Sequence, residues 1–136
     1  MKSVSFFVSG RPTTKQKLGR DHRKLARVSA WEENVGWTAK IAAGPGYDFI
    51  AGSMLIWLDF YLPDERIKDV DNLPKPVFDG MEGVLYENDK TAIMSVSTRQ
   101  IDRKNPGVHV HVYEVSSWRD AIETAAGIAQ QHLDQT

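Results

Sequence analysis

The run Asp69-Val70-Asp71-Asn72-Leu73-Pro74-Lys75 gathers the side chains best able to do chemistry, with Asp79 four residues further on and Glu87-Asn88-Asp89 beyond a short apolar segment. If residues 69–71 are extended, Asp69 and Asp71 project to one side, because strand side chains repeat every two residues. Pro74 suits the first turn of a helix, where its missing N–H is no loss. A helix that begins near Asp71 or Asn72 then puts Lys75 and Asp79 at four-residue steps from Asp71, on roughly one face. The expected product is a pair of carboxylates at a helix N-terminus with a lysine one turn on. Asp89 returns as a third carboxylate from a turn ahead of the next strand.

Carboxylates held close repel one another and call for a cation. Mg²⁺ takes one or two carboxylates and leaves its other positions to water and phosphate. Bound there, with Mn²⁺ as a substitute, it polarises a phosphodiester and lowers the pKa of an attacking water. Lysine adds positive charge where the transition state accumulates negative charge. A plainer reading stands beside this one: Asp71 or Asn72 is a helix N-cap and Asp69 a surface charge. An isolated D-x-D-N string does not choose between them.

The net charge of −1 hides an uneven distribution. Lys2, Arg11, Lys15, Lys17, Arg20, Arg23, Lys24 and Arg27 face a single acid, Asp21, in residues 1–27, and the remaining seventeen acids meet only nine bases. Such a local excess is the footprint of a polyanion partner, or else a solvated basic arm. The absence of cysteine excludes disulfides, thiolate metal sites and cysteine nucleophiles. No glycine-rich phosphate loop occurs, so no nucleotide cofactor is expected. The opening MKSVSFFVSG is too short an apolar run for a signal peptide, and no stretch reaches membrane-spanning length. A cytoplasmic protein without membrane contact is the default.

The elements that must position these residues follow from periodicity. Val4, Phe6 and Val8 alternate with serines, which gives a strand ending at Gly10. Residues 11–28 read as a long basic loop. Ser29 and Glu32 match a capping box that opens a helix bearing Trp31, Val35 and Ala39 and ending at Gly44-Pro45-Gly46. Met54–Leu62 is almost continuously apolar, as a central strand buried on both faces would be, and Pro63 stops it. Ile93–Gln100 and Val108–Val115 read as an antiparallel pair joined through Asn105-Pro106-Gly107. Ser117 and Asp120 open a last helix with Trp118, Ala121, Ile122, Ala125, Ile128, Ala129 and Leu133 on its apolar face. The order β, loop, α, β, α, β, β, α makes an α+β domain around one mixed sheet flanked by helices.

The run D-V-D-N-L-P-K-x-x-x-D, followed by E-N-D, resembles the signature of the RusA family of Holliday junction resolvases. The opening strand before Pro12 and Lys15, the basic loop, the helix bearing Trp31, the strand ending at Pro63 and the closing hairpin through Asn105-Pro106-Gly107 come in that family's order, so the resemblance covers roughly residues 3–115. It implies metal binding by Asp69, Asp71 and Asp89, a catalytic role for Lys75, and supporting roles for Asn72, Asp79 and Asn88. A RusA-like endonuclease domain over residues 1–116 and a helical extension over 117–136 are expected. The resemblance further implies a homodimer that resolves four-way junctions by paired symmetric nicks, in DNA recombination and repair, in a phage or its host. Two-fold junctions suit a two-fold protein.

Lys15, Lys17, Arg20, Arg23, Lys24 and Arg27 are then expected to track the DNA backbone. One departure is Asn88, where the family carries an acid. It keeps open a junction-binding module with a degenerate site, and a nuclease that cuts branched DNA more broadly is a further alternative. His109 and His111 read as the polar face of a half-buried strand or as a metal-chelating pair. The four tryptophans read as core or interface rather than as platforms for bases.

Overall fold

The computed structural model describes residues 2–15, 21–66 and 70–136, so Asp69, Lys17 and Arg20 lie outside the described residues. Strand β1 (Ser3–Ser9) alternates as expected, with Val4, Phe6 and Val8 turned inward. Helix α1 runs from His22 to Ala43, so it begins well before the expected Ser29. The reason is a better cap upstream: the Asp21 carboxylate accepts the N–H groups of Arg23 and Lys24 at 3.1 and 3.2 Å. Val28, Trp31, Val35 and Ala39 then form its buried stripe. Arg23, Lys24 and Arg27 are therefore exposed helical residues and not part of a loop. Gly44, at φ 79°, ends the helix in a backbone conformation that L side chains rarely adopt.

Strand β2 (Met54–Leu62) is buried over nearly its whole length, as its composition predicts. The expected hairpin does not form. Strands β3 (Ala92–Ile101) and β4 (Gly107–Glu114) both pair with β2 instead, β3 parallel and β4 antiparallel, in the order β1-β4-β2-β3. The physical reason is that β2, apolar along both faces, is stable only between two neighbours. The polar turn after β3 passes over its end. Asp102 N–H donates to the Leu62 carbonyl at 2.8 Å, and the Asp102 carboxylate accepts the N–H groups of Lys104 and Asn105.

The two faces of this mixed sheet carry different cores. Val4, Phe6, Val8, Ile56, Leu58, Phe60, Val108, Val110 and Val112 meet Trp31, Val35 and Ala39 of α1 and Val77 and Met81 of α2 (Pro74–Met81). On the other face Leu55 and Trp57 meet Ala121 and Ile128 of α3 (Trp118–Asp134). Ser117 caps α3 by accepting the Asp120 N–H at 3.1 Å, and the Asp120 carboxylate accepts the Ser116 N–H at 2.8 Å. Trp31 and Trp57 are core, whereas Trp37 and Trp118 are exposed.

Helices α1 and α2 cross with almost no space between their backbones. A methyl group added at Gly80 would lie 2.7 Å from the Glu32 carbonyl oxygen and 2.8 Å from Val35 Cβ. One added at Gly36 would lie 2.9 Å from the Gly80 oxygen. This crossing fixes where α2 sits, and with it the side chains α2 carries.

Candidate active site

Residues 70–73, ahead of α2, form neither an extended segment nor a capped helix start. Val70–Asn72 forms a single 3-10 turn, and the residue at the N-cap of α2 is Leu73, with no side-chain hydrogen bond. Asp71 and Asn72 thus do not cap α2, and Asp71 is exposed to solvent. Pro74 occupies the first turn of the helix as expected. Two contacts hold this segment from outside. The Lys15 N–H donates to the Asn72 carbonyl at 3.1 Å, which ties the strand-exit loop to the turn. Arg11 pairs with Asp64 at 2.9 Å, which anchors the chain leaving β2. The Arg11 guanidinium, followed by that of Arg66, holds the Asp64 carboxyl well below the usual carboxylate range.

On α2, Lys75 and Asp79 face one another across a helical turn at 2.9 Å. Asp79 also accepts from Lys15 Nζ at 2.7 Å, and Lys15 reaches Glu32 of α1 at 3.3 Å. Lys75 Nζ lies 3.7 Å from Asp89, which opens the short 3-10 turn Asp89–Thr91 before β3. A chain of alternating charge therefore runs Glu32, Lys15, Asp79, Lys75, Asp89 across four separate parts of the fold. Asn88 is occupied locally: its side-chain oxygen accepts the Lys90 N–H at 3.0 Å and caps that turn.

The charges in this chain are mutually fixed. Burial alone would push the Asp79 carboxyl up, but hydrogen bonds from Lys15 and Lys75 outweigh it and hold the group below its ordinary value. The hydrogen bond to Asp79 raises Lys75 above the ordinary lysine value, and the same acid raises Lys15. Lys75 therefore stays protonated at neutral pH, a hydrogen-bond donor and a positive charge. Nearby, burial pushes the Tyr86 hydroxyl up, and it donates to the Phe78 carbonyl at 2.7 Å, which secures the end of α2.

Lys75, Asp79, Asp89, Lys15 and the Asn72 backbone are brought together, and Asp71 precedes them on an exposed turn. Arg23, Lys24 and Arg27 line the exposed start of α1. Glu32 is the participant that sequence reasoning assigned elsewhere. Its expected role was to pair with Ser29 in a capping box, and only the helix's earlier start frees it for Lys15.

A family model, endodeoxyribonuclease RusA, matches residues 6–113 of the 136. The chain belongs to the RusA family. The match runs from within β1 to within β4 and takes in α1, β2, α2, β3 and every member of the charge chain, while α3 follows it. RusA proteins are endodeoxyribonucleases, hydrolases of DNA phosphodiesters, and the family's activity is directed to branched DNA. No curated protein matches the chain. Among the described residues, no helix is long and apolar enough to cross a membrane.

Proposed function

We propose that this RusA-family chain is a Mg²⁺-dependent, structure-specific endonuclease that resolves four-way junctions by paired symmetric nicks. The observation that carries the reading is the placement of Lys75, held charged by Asp79, beside Asp89 and one short turn from Asp71. The donors at this place are hard carboxylate oxygens, Asp71 exposed and Asp89 about one-third exposed, which is the set a Mg²⁺ ion prefers. Asp71 and Asp89, with Asp69, are the residues that would hold it. When bound, the ion supplies a Lewis acid for the phosphodiester and an activated water.

The chain's own residues do the rest. Lys75 donates to a phosphate oxygen and offsets the negative charge that builds there. Asp79 positions Lys75 and Lys15, so both cations are oriented before DNA arrives. Arg23, Lys24 and Arg27, together with Lys15, Lys17 and Arg20, contact backbone phosphates and give affinity without reading bases. A homodimer would present two such sites to the two-fold junction. The homodimer, the role in DNA recombination and repair, and the cytoplasmic setting all belong to this proposal.

The test is a labelled synthetic four-way junction incubated with the protein and Mg²⁺ or Mn²⁺, alongside linear duplex. Symmetric paired nicks that disappear in Asp71→Asn, while that variant still binds the junction, are the expected result. Binding without nicking in the wild-type protein would refute the catalytic reading and leave a junction-binding module. Equal cutting of flaps and forks would widen the substrate class.

A further inference from the structure

The sheet face opposite α1 and α2 carries a second polar cluster that the carboxylate site does not use. Asp59 is an acid within the apolar strand β2, and it is only 2% exposed. It alternates with Trp57, so it shares the α3 side of the sheet. His109 of β4 is its direct cross-strand partner, and His111 follows two residues on along the same face. One donor atom from each of Asp59, His109 and His111 falls within 4.8 Å of the other two. The two imidazole rings lie 4.3 Å apart, centre to centre.

Two of the three donors, Asp59 and His111, are oriented from their far side. One Asp59 oxygen accepts from Trp57 Nε1 at 2.8 Å and from the Thr98 hydroxyl, which turns the other oxygen toward the histidines. That second oxygen is 4.0 Å from His111 Nε2, and His111 Nδ1 is hydrogen-bonded to the Ser5 hydroxyl at 2.8 Å. His132, from the last turns of α3, reaches the same Asp59 oxygen with Nε2 at 2.7 Å. Two histidines paired along one strand would need none of this if they were only a solvated polar face.

We propose that Asp59, His109 and His111 bind a divalent late first-row transition ion of the Zn²⁺ class. Two imidazole nitrogens and one carboxylate oxygen suit such an ion and disfavour Mg²⁺ or Ca²⁺, which select oxygen donors. Trp57, Thr98 and Ser5 supply the outer hydrogen bonds that fix ligand orientation. Three protein ligands leave a fourth position for water or for His132. The ion would clip β2 to β4 and, through His132, fasten the end of α3 to the sheet. The site is independent of the carboxylate cluster, because the two lie on opposite faces.

The test uses the full chain, stripped with EDTA and titrated with CoCl₂ while visible absorption is followed. Ligand-field bands saturating at a single equivalent are expected, abolished by excess ZnCl₂ and insensitive to excess MgCl₂. Asp71→Asn should keep the bands, His109→Ala should lose them, and Ser5→Ala should weaken binding by roughly tenfold or more. His109 is only partly buried, and His109→Gln gives the same readout if alanine disturbs the fold, which circular dichroism checks. The absence of bands in the wild-type protein, their survival in a folded His109 variant, or their loss in Asp71→Asn would overturn the assignment.

Discussion

Replacing Gly80 with alanine should destabilise the protein, whereas the same replacement at Gly127 should stabilise it. Both glycines are helical, and alanine in a helix interior is favoured over glycine by about 1 kcal/mol. At Gly127 nothing lies within 4 Å of the added methyl group, so the helix term acts alone and a gain of about 0.5–1 kcal/mol is expected. At Gly80 the methyl group meets the Glu32 oxygen at 2.7 Å and Val35 Cβ at 2.8 Å. Neither can turn aside: one is backbone, and Val35 is fully buried. The helices must separate, and overpacking of this kind costs about 1–3 kcal/mol. Gly80 is near the end of a short helix, where the propensity gain is smallest, so the clash wins by about 1–2 kcal/mol. Urea unfolding of the two variants and the wild-type protein, with a common slope, measures the difference. Because α2 carries Lys75 and Asp79, Gly80→Ala should also slow junction cleavage while Gly127→Ala does not. A Gly80→Ala protein as stable as wild type would refute the close crossing of α1 and α2 and the account of how the site is placed.

Other consequences can be measured in the same way. Asp79→Asn should release Lys15 and Lys75 from their shared acid and lower the single-turnover cleavage rate more than junction affinity; an unchanged rate would remove Asp79 from the positioning role. Replacing Arg23, Lys24 and Arg27 together with glutamine should weaken binding to junction and duplex alike, and should flatten the salt dependence by up to about one unit of log–log slope per lost phosphate contact. A slope that does not change would place DNA elsewhere. In chelator, the His132–Asp59 pair should stabilise the protein under mildly acidic conditions. The hydrogen bond to Asp59 raises His132, so its contribution is fully present below the unfolded value near 6.5 and fades as pH rises through the raised value. The Asp59 carboxyl is lowered: burial opposes this, but the bonds from Thr98, Trp57 and His132 prevail, so the acid remains ionised across that window. His132→Ala should therefore lose more stability relative to wild type near pH 6 than near pH 9, and equal losses at both would discard the charged pair.

Much of the outline was legible in the chain. Alternation marked β1 and β4, the apolar run marked β2 as central, and Ser117 with Asp120 marked the start of α3, because these signals are local and read at fixed periods. The D-x-D-N-x-x-K-x-x-x-D run was likewise local, and its lysine and last acid do meet across one helical turn. Helix α1 starts earlier than its Ser29–Glu32 pattern suggests because two caps compete, and the Asp21 carboxylate, accepting the N–H groups of Arg23 and Lys24, takes the start.

Composition, periodicity and the family pattern were enough to read an α+β chain with carboxylates and a lysine in one short run and an excess of bases near its start. Which residues meet at long range came from the packed fold alone. A polar turn is compatible with a hairpin, yet β2 lies between β3 and β4 because an apolar strand must be covered on both edges as well as both faces. Lys15 reaches Asp79 across 64 positions, and His132 reaches Asp59 across 73. No local periodicity encodes such meetings, because they follow from how the elements stack, and stacking is set by the burial of side chains far apart in the chain.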